Sequence, residues 1–209
     1  MSKVESGIKS HGSLAKDAMS MDDLKKLISG LRSDCRYNWE AYVRLSFITA
    51  MRSSDVLMLK WGDILNKECI YFTEKKTRKT REISISESNS DVLNELYALS
   101  GKPDKSNYIL ESSFWRAKNN ESYPMTVQYV NRALKDMKFK YKLDIDVNKI
   151  ATHSFRKAFG KYVYENNGKS FEALNMLNII FKHSSIKTTQ RYLGIESEKI
   201  NNIFNKLEL

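Results

Sequence analysis

Cysteine, histidine and proline are scarce in this sequence, and each scarcity removes a class of explanation. Two cysteines, Cys35 and Cys69, form no disulfide framework and fit a reducing cytosol. With only three histidines, His11, His153 and His183, there is no zinc-type cluster. The two prolines, Pro103 and Pro124, fall in connections between periodic segments, where proline is tolerated. No apolar run approaches the ~18 residues that a membrane span needs. The first 20 residues lack the hydrophobic region of a secretory signal. There is no glycine-rich phosphate loop and no carboxylate cluster suited to magnesium.

What the chain does have is positive charge. It carries 35 Lys+Arg against 25 Asp+Glu, a formal charge of +10 over 209 residues. That balance favours a polyanionic partner, with nucleic acid only modestly ahead of no such partner on charge alone. The length suits one substantial domain with a real core.

Residues 1–19 are polar and rich in small side chains, and read as a flexible arm or linker remnant. Ser20 reads as an N-cap, with Asp22 and Asp23 in the first turn and Leu24, Leu27, Ile28 and Leu31 at helical spacing. A second helix is predicted over 38–49 and a third over 53–60. The period then changes, and 69–73 and 82–86 read as two short strands. The segment between them holds Lys75, Lys76, Arg78, Lys79 and Arg81, a basic hairpin tip. Helices are predicted over 88–100, 125–140, 153–166, 170–181, 185–192 and 196–207. The expected fold is mainly α with a small antiparallel β-sheet (α+β).

The chemistry-bearing residues gather in a few places. His153 and Arg156 stand three residues apart, on one face of a helix that Thr152 or Ser154 could cap. His183 precedes Tyr192 by nine residues in a basic, polar stretch. Together they can hold a phosphate, move protons and supply a phenol nucleophile, a set suited to phosphoryl transfer on a nucleic acid. Arg52 opens a helix, where a guanidinium joins free backbone N–H groups in favouring phosphate. Asp55, one turn later, could orient Arg52 or cap the helix. Each residue alone has a plainer reading: a salt-bridged arginine, a solvated charge run, a structural histidine, one of 11 tyrosines.

Their order resembles the tyrosine recombinase (phage integrase) family over about residues 20–207. The family pattern is an early Arg, a hairpin Lys, His-x-x-Arg, a later His or Trp, and the Tyr. Arg52, Lys76, His153, Arg156, His183 and Tyr192 fill those places in sequence. The flanks agree in Thr49-Ala50-Met51-Arg52, in Leu59 to Ile64, and in His183-Ser184-Ser185 through Thr188 to Leu193. There are departures. Ala50 replaces the glycine usual before Met-Arg, and Phe181-Lys182-His183 replaces the usual Leu-Gly-His. For the hairpin lysine, Lys76 before Thr77 fits best, with Lys75 second and Lys79 third. Family members usually carry an N-terminal helical domain that clamps the other face of the DNA, and no such core-binding domain is seen here.

The resemblance implies a site-specific DNA recombinase that needs neither ATP nor metal and no cofactor. Tyr192 would attack the scissile phosphate and form a 3′-phosphotyrosyl link. Arg52 and Arg156 would clamp the non-bridging oxygens, and Lys76 would protonate the leaving 5′-oxygen. His153 would take the phenol proton, and His183 would hydrogen-bond the phosphate or the phenol. Lys75, Arg78, Lys79, Arg81 and Lys182 would contact DNA, with Arg132, Lys135, Lys138, Lys140, Lys142 and Lys149 adding phosphate contacts. The implied partner is double-stranded DNA, bound by a homotetramer, with a monomer expected without DNA, in the cytoplasm at the nucleoid. A catalytically inactive DNA-binding regulator of the same fold, or a type IB topoisomerase-like strand transferase, are the alternatives.

Overall fold

The computed structural model describes residues 18–75 and 78–195. Residues 1–17 of the arm expected over 1–19, Lys76, and the predicted helix at 196–207 lie outside the described residues, while Met19, at the end of that arm, is buried in the core and its N–H donates to the Ser154 carbonyl at 3.3 Å. The described chain runs α1 (Met21–Ser33), α2 (Tyr37–Ile48), α3 (Ser53–Val56), α4 (Trp61–Ile64), β1 (Cys69–Thr73) and β2 (Thr80–Ser84). It continues through α5 (Glu87–Leu99), α6 (Ser113–Asn119), α7 (Val127–Lys140), α8 (His153–Asn166), α9 (Phe171–Phe181) and α10 (Ile186–Leu193). The class is mainly α with one two-stranded antiparallel sheet, as expected.

Local chemistry sets the helix starts. Ser20, Ser86, Thr126, Ser170 and Ser185 each accept a hydrogen bond from a backbone N–H three residues on. Such caps satisfy one of the donors that a helix start leaves open. α8 begins differently. Thr152 is itself in helical conformation and makes no side-chain cap, while the Ser154 hydroxyl accepts from Ala151 N at 3.1 Å.

The core forms two clusters. The larger joins Leu27 and Leu31 of α1, Tyr42 and Leu45 of α2, Trp61, Leu93, Leu96, Leu134 and Phe155. The smaller gathers Ala50, Tyr164, Leu174, Leu177, Phe181, Leu193 and Ile195. Helix α8 belongs to both, through Phe155 and Ala158 on one side and Tyr164 on the other. Gly160 permits the second contact: a Cβ there would lie 2.6 Å from Leu193 and 2.9 Å from Phe181. The bare backbone lets α9 and α10 seat against α8.

Three local expectations are corrected. Of the predicted helix over 53–60 only the single turn α3 forms, and a separate turn, α4, follows beyond it. Between them Leu59 accepts from Ile109 N, and Lys60 N donates to Asp63 Oδ2, which starts the second turn afresh. The second strand is 80–84, not 82–86, because Ser86 is engaged in capping α5. Arg81 therefore lies within β2, opposite Phe72, and not on the hairpin tip. Helix α6 was not anticipated.

Candidate active site

A cleft of about 480 Å³ is lined by Arg52, His153, Arg156, Lys182, His183, Ser184, Thr188 and Tyr192. Five of the six residues expected to carry chemistry thus meet in one place; the sixth, Lys76, lies outside the described residues. Four chain segments supply them: the start of α3, the first turn of α8, the end of α9, and α10.

Arg156 is the most firmly held. Its Nη1 donates to the Ala50 carbonyl and its Nη2 to the Phe181 carbonyl at 2.9 Å. The guanidinium lies over the Phe181 ring, 4.6 Å from its centroid. Burial draws its pKa down to about 10, with Tyr192 opposing and Arg52 adding to the shift, so it stays cationic at neutral pH. Both carbonyls flank backbone turns of left-handed geometry. Ala50 has φ +48° and Lys182 has φ +51°. These are the two positions at which the resemblance implies glycine, and both hold the left-handed conformation that glycine adopts without cost.

Arg52 faces Glu74, whose carboxylate lies 3.1 Å from Nη1, out of line for a hydrogen bond. Glu74 is 1% exposed and also meets Arg81 at 3.1 Å and Lys182 at 3.7 Å. One buried carboxylate thereby gathers three cations, which offsets the cost of holding them together. Arg81 donates in addition to the Ile180 carbonyl at 3.0 Å, so it braces the hairpin against α9. Asp55 neither pairs with Arg52 nor caps α3. Its Oδ1 accepts from Lys75 N at 3.1 Å, tying α3 to the end of β1, and its Oδ2 is buried without a hydrogen-bond partner among the described residues. Lys75, Arg78 and Lys79 are exposed at the hairpin tip. Among the other expected phosphate contacts, Lys138 donates to the Leu143 carbonyl and Lys140 pairs with Asp34, so both are engaged within the protein.

Phe181 is the platform of the cleft. Besides Arg156 it meets His183 and Tyr192, with ring centroids 5.3 and 5.5 Å away. His183 and Tyr192 meet edge-on at 5.2 Å. Burial, then Arg156 and Arg52, lower the His183 pKa to about 4. The Tyr192 hydroxyl is buried and has no hydrogen-bond partner among the described residues. Burial pushes its pKa up to about 12 against the pull of Arg156 and Arg52. His153 sits at the solvent-accessible rim on the first residue of α8. Desolvation of its ring, then Arg156 and Lys157, lower its pKa. At neutral pH the cleft therefore combines fixed cations, neutral imidazoles and a protonated phenol.

Sequence reading missed Glu74, Phe181, Thr189 and Asn178. The available signal for Glu74 was a single acid at the edge of a basic run; for the others there was none beyond their place between motif residues.

The model of the phage integrase family matches residues 18–199. The chain belongs to this family. It is 31% identical over 150 residues to the probable integrase/recombinase YoeC of Bacillus subtilis (strain 168), covering 72% of this chain and 74% of that protein. It is 27% identical to a probable integrase/recombinase of Acholeplasma phage L2, covering 74% of this chain and 48% of that protein. Among solved structures, the XerA recombinase superposes with a TM-score of 0.65 at 22% identity, over 95% of this chain and 66% of that one. A lambda integrase bound to DNA gives a TM-score of 0.58 at 15% identity, over 84% and 59%. At these identities the structures establish the fold.

Proposed function

We propose that this chain breaks and rejoins DNA strands as a site-specific recombinase, through a 3′-phosphotyrosyl intermediate. The observation that carries the reading is the convergence of Arg52, His153, Arg156, His183 and Tyr192, spread from position 52 to 192, on one cleft. The Tyr192 oxygen attacks the scissile phosphorus, and the bond to the 5′-oxygen breaks. Arg52 and Arg156 stabilise the charge that builds on the non-bridging oxygens, where planar guanidinium forks suit two-point contact. His153 accepts the phenol proton, and Lys76 protonates the departing 5′-oxygen. His183 hydrogen-bonds at the reacting centre. The phosphodiester energy is kept in the protein–DNA link, so a second 5′-hydroxyl can reseal the strand without ATP or metal.

Double-stranded DNA as partner is supported by the charge of +10 and by the DNA-bound lambda integrase. Lys75, Arg78, Lys79 and Lys182 contact its phosphates. Arg81, tied to Glu74 and Ile180, positions the hairpin instead. The protein works as a homotetramer on DNA and as a monomer without it, at the nucleoid. No described helix is long and apolar enough to cross a membrane.

The test is a nicked suicide duplex carrying the cognate site. A covalent protein–DNA adduct is expected, and Tyr192→Phe should abolish it while leaving DNA affinity within about twofold, because only one buried hydroxyl is lost. An adduct that survives Tyr192→Phe refutes the nucleophile. Binding with no adduct in the unmodified protein supports a DNA-binding regulator.

A further inference from the structure

His183 is held from behind. Its Nδ1 lies 3.0 Å from the Thr189 hydroxyl, and that hydroxyl donates to Asn178 Oδ1, also at 3.0 Å. A hydroxyl has one proton to give. With that proton on Asn178, Thr189 Oγ1 can only accept from the ring, so Nδ1 carries the hydrogen of the neutral imidazole. The opposite nitrogen, Nε2, is then a bare lone pair. The ring is neutral at neutral pH, because burial and then Arg156 and Arg52 disfavour its cation.

Both members of the relay are fixed in place. Thr189 is fully buried on α10, one turn before Tyr192. Asn178 stands in the last turn of α9, and its backbone carbonyl accepts from His183 N at 3.1 Å. Asn178 thus grips the His183 main chain directly and its side chain through Thr189. The relay also spans the junction of α9 and α10, so the ring and the phenol that follows it share one support.

We infer that Thr189 and Asn178 are positioning residues that hold His183 in its Nδ1–H form and present Nε2 to the cleft as a hydrogen-bond acceptor. This rests on reading the cleft as the strand-transfer site. An acceptor there matches the Tyr192 hydroxyl, a donor whose own ring lies 5.2 Å away edge-on. It does not match a non-bridging phosphate oxygen, which needs a donor. In the DNA-free protein the Tyr192 hydroxyl makes no hydrogen bond among the described residues, so Nε2 is an acceptor held ready for it and not one already engaged.

The experiment is nuclear magnetic resonance of the DNA-free protein with isotope-labelled histidine, which distinguishes the two neutral tautomers. The chain has three histidines, so loss of one signal set in His183→Gln assigns the spectrum. The expected result is a protonated Nδ1 and a bare Nε2 at neutral pH. A protonated Nε2 would mean that Asn178 donates to Thr189 and the relay runs the other way, and overturns the inference. Thr189→Val should shift His183 toward the Nε2–H form and slow suicide-duplex cleavage by about tenfold, in the range of a lost hydrogen bond to an oriented group. Thr189→Ser should restore both. An unchanged tautomer and rate in Thr189→Val overturns the inference. Asn178→Ala, at a partly exposed site, makes the same test should the valine variant fail to fold. The spectra need no DNA, so the tautomer result stands apart from the cleavage reading. The expected tautomer without any adduct would sink the strand-transfer reading alone.

Discussion

Tyr192 and His183 set the acid–base character of the cleft, and their shifts carry opposite pH signatures. The Tyr192 pKa rises from its ordinary 10 to about 12, because burial disfavours the phenolate before Arg156 and Arg52 can stabilise it. Tyr192 is thus stored in protonated form, and in the proposed reaction it needs an acceptor at the moment of attack. The His183 pKa falls from 6.5 to about 4. The unfolded chain therefore binds a proton at this residue before the folded one does. Its contribution to stability is complete above pH 6.5 and is lost as the pH falls toward about 4. Thermal melts across that window should show the melting temperature falling with pH. His183→Gln should flatten the slope, leaving the part due to His153, whose pKa is also lowered. An equal slope in the variant would show that His183 takes up its proton freely in the folded state.

At the scale of elements, α8, α9 and α10 with their junctions form one packed unit that carries four of the five residues expected to carry chemistry: His153, Arg156, His183 and Tyr192. Gly160 sets how closely they approach. Gly160→Ala, although alanine is the better helix former, should destabilise by about 1–3 kcal/mol through overpacking against Leu193 and Phe181. Urea denaturation would measure it, and a neutral or stabilised variant would show that the helices can separate without strain. The turn from α9 into His183 offers the reverse case. Lys182 occupies a left-handed conformation at φ +51°. Lys182→Gly should gain about 1 kcal/mol in the same measurement, by relief of backbone strain. It should also weaken DNA binding, because an ammonium beside the cleft is removed. Much at this scale was legible in the sequence. Strand β1 and helix α8 fall on their predicted bounds, because the 69–73 run is β-branched and aromatic and the 153–166 run keeps helical period. Helix α6 was not legible: its Phe114 and Trp115 are both exposed, so it has no apolar stripe to read. The break after Val56 escaped notice because it is made by contacts with Asn107 and Ile109, some 50 residues away in sequence.

Seen as a whole, the molecule places its motif residues where two cores meet, and this is why separate motifs in the sequence reported one site. Residue types and their order were enough to name Arg52, His153, Arg156, His183 and Tyr192. They could not reveal Glu74, Phe181 or the Thr189–Asn178 relay, whose roles arise from packing between distant segments. The charge of +10 has its own reading at this scale. Lys75 and Lys79 stand exposed at the hairpin tip. Each that touches a phosphate should contribute about 0.9 to the slope of log affinity against log salt. Replacing both by alanine should lower the slope by about 1.8, as read from DNA-binding isotherms at several salt concentrations. An unchanged slope would place the hairpin tip away from the DNA backbone.

The grip on Arg156 has a consequence for how this protein tolerates variation. Its two anchors are peptide carbonyls, of Ala50 and Phe181, and every amino acid brings a carbonyl. Chance replacement at either position cannot delete the anchor. It can only re-aim it, by changing the backbone angles from which the oxygen projects. The clamp is thus insensitive to the chemical identity of its neighbours and sensitive to their shape. Among random variants at position 50, glycine should survive as readily as alanine, whereas valine, isoleucine and proline should not, and asparagine, although it tolerates the left-handed backbone, should suffer from burying its amide in the core. At both Ala50 and Lys182 what the clamp requires is a direction in space and not a particular side chain.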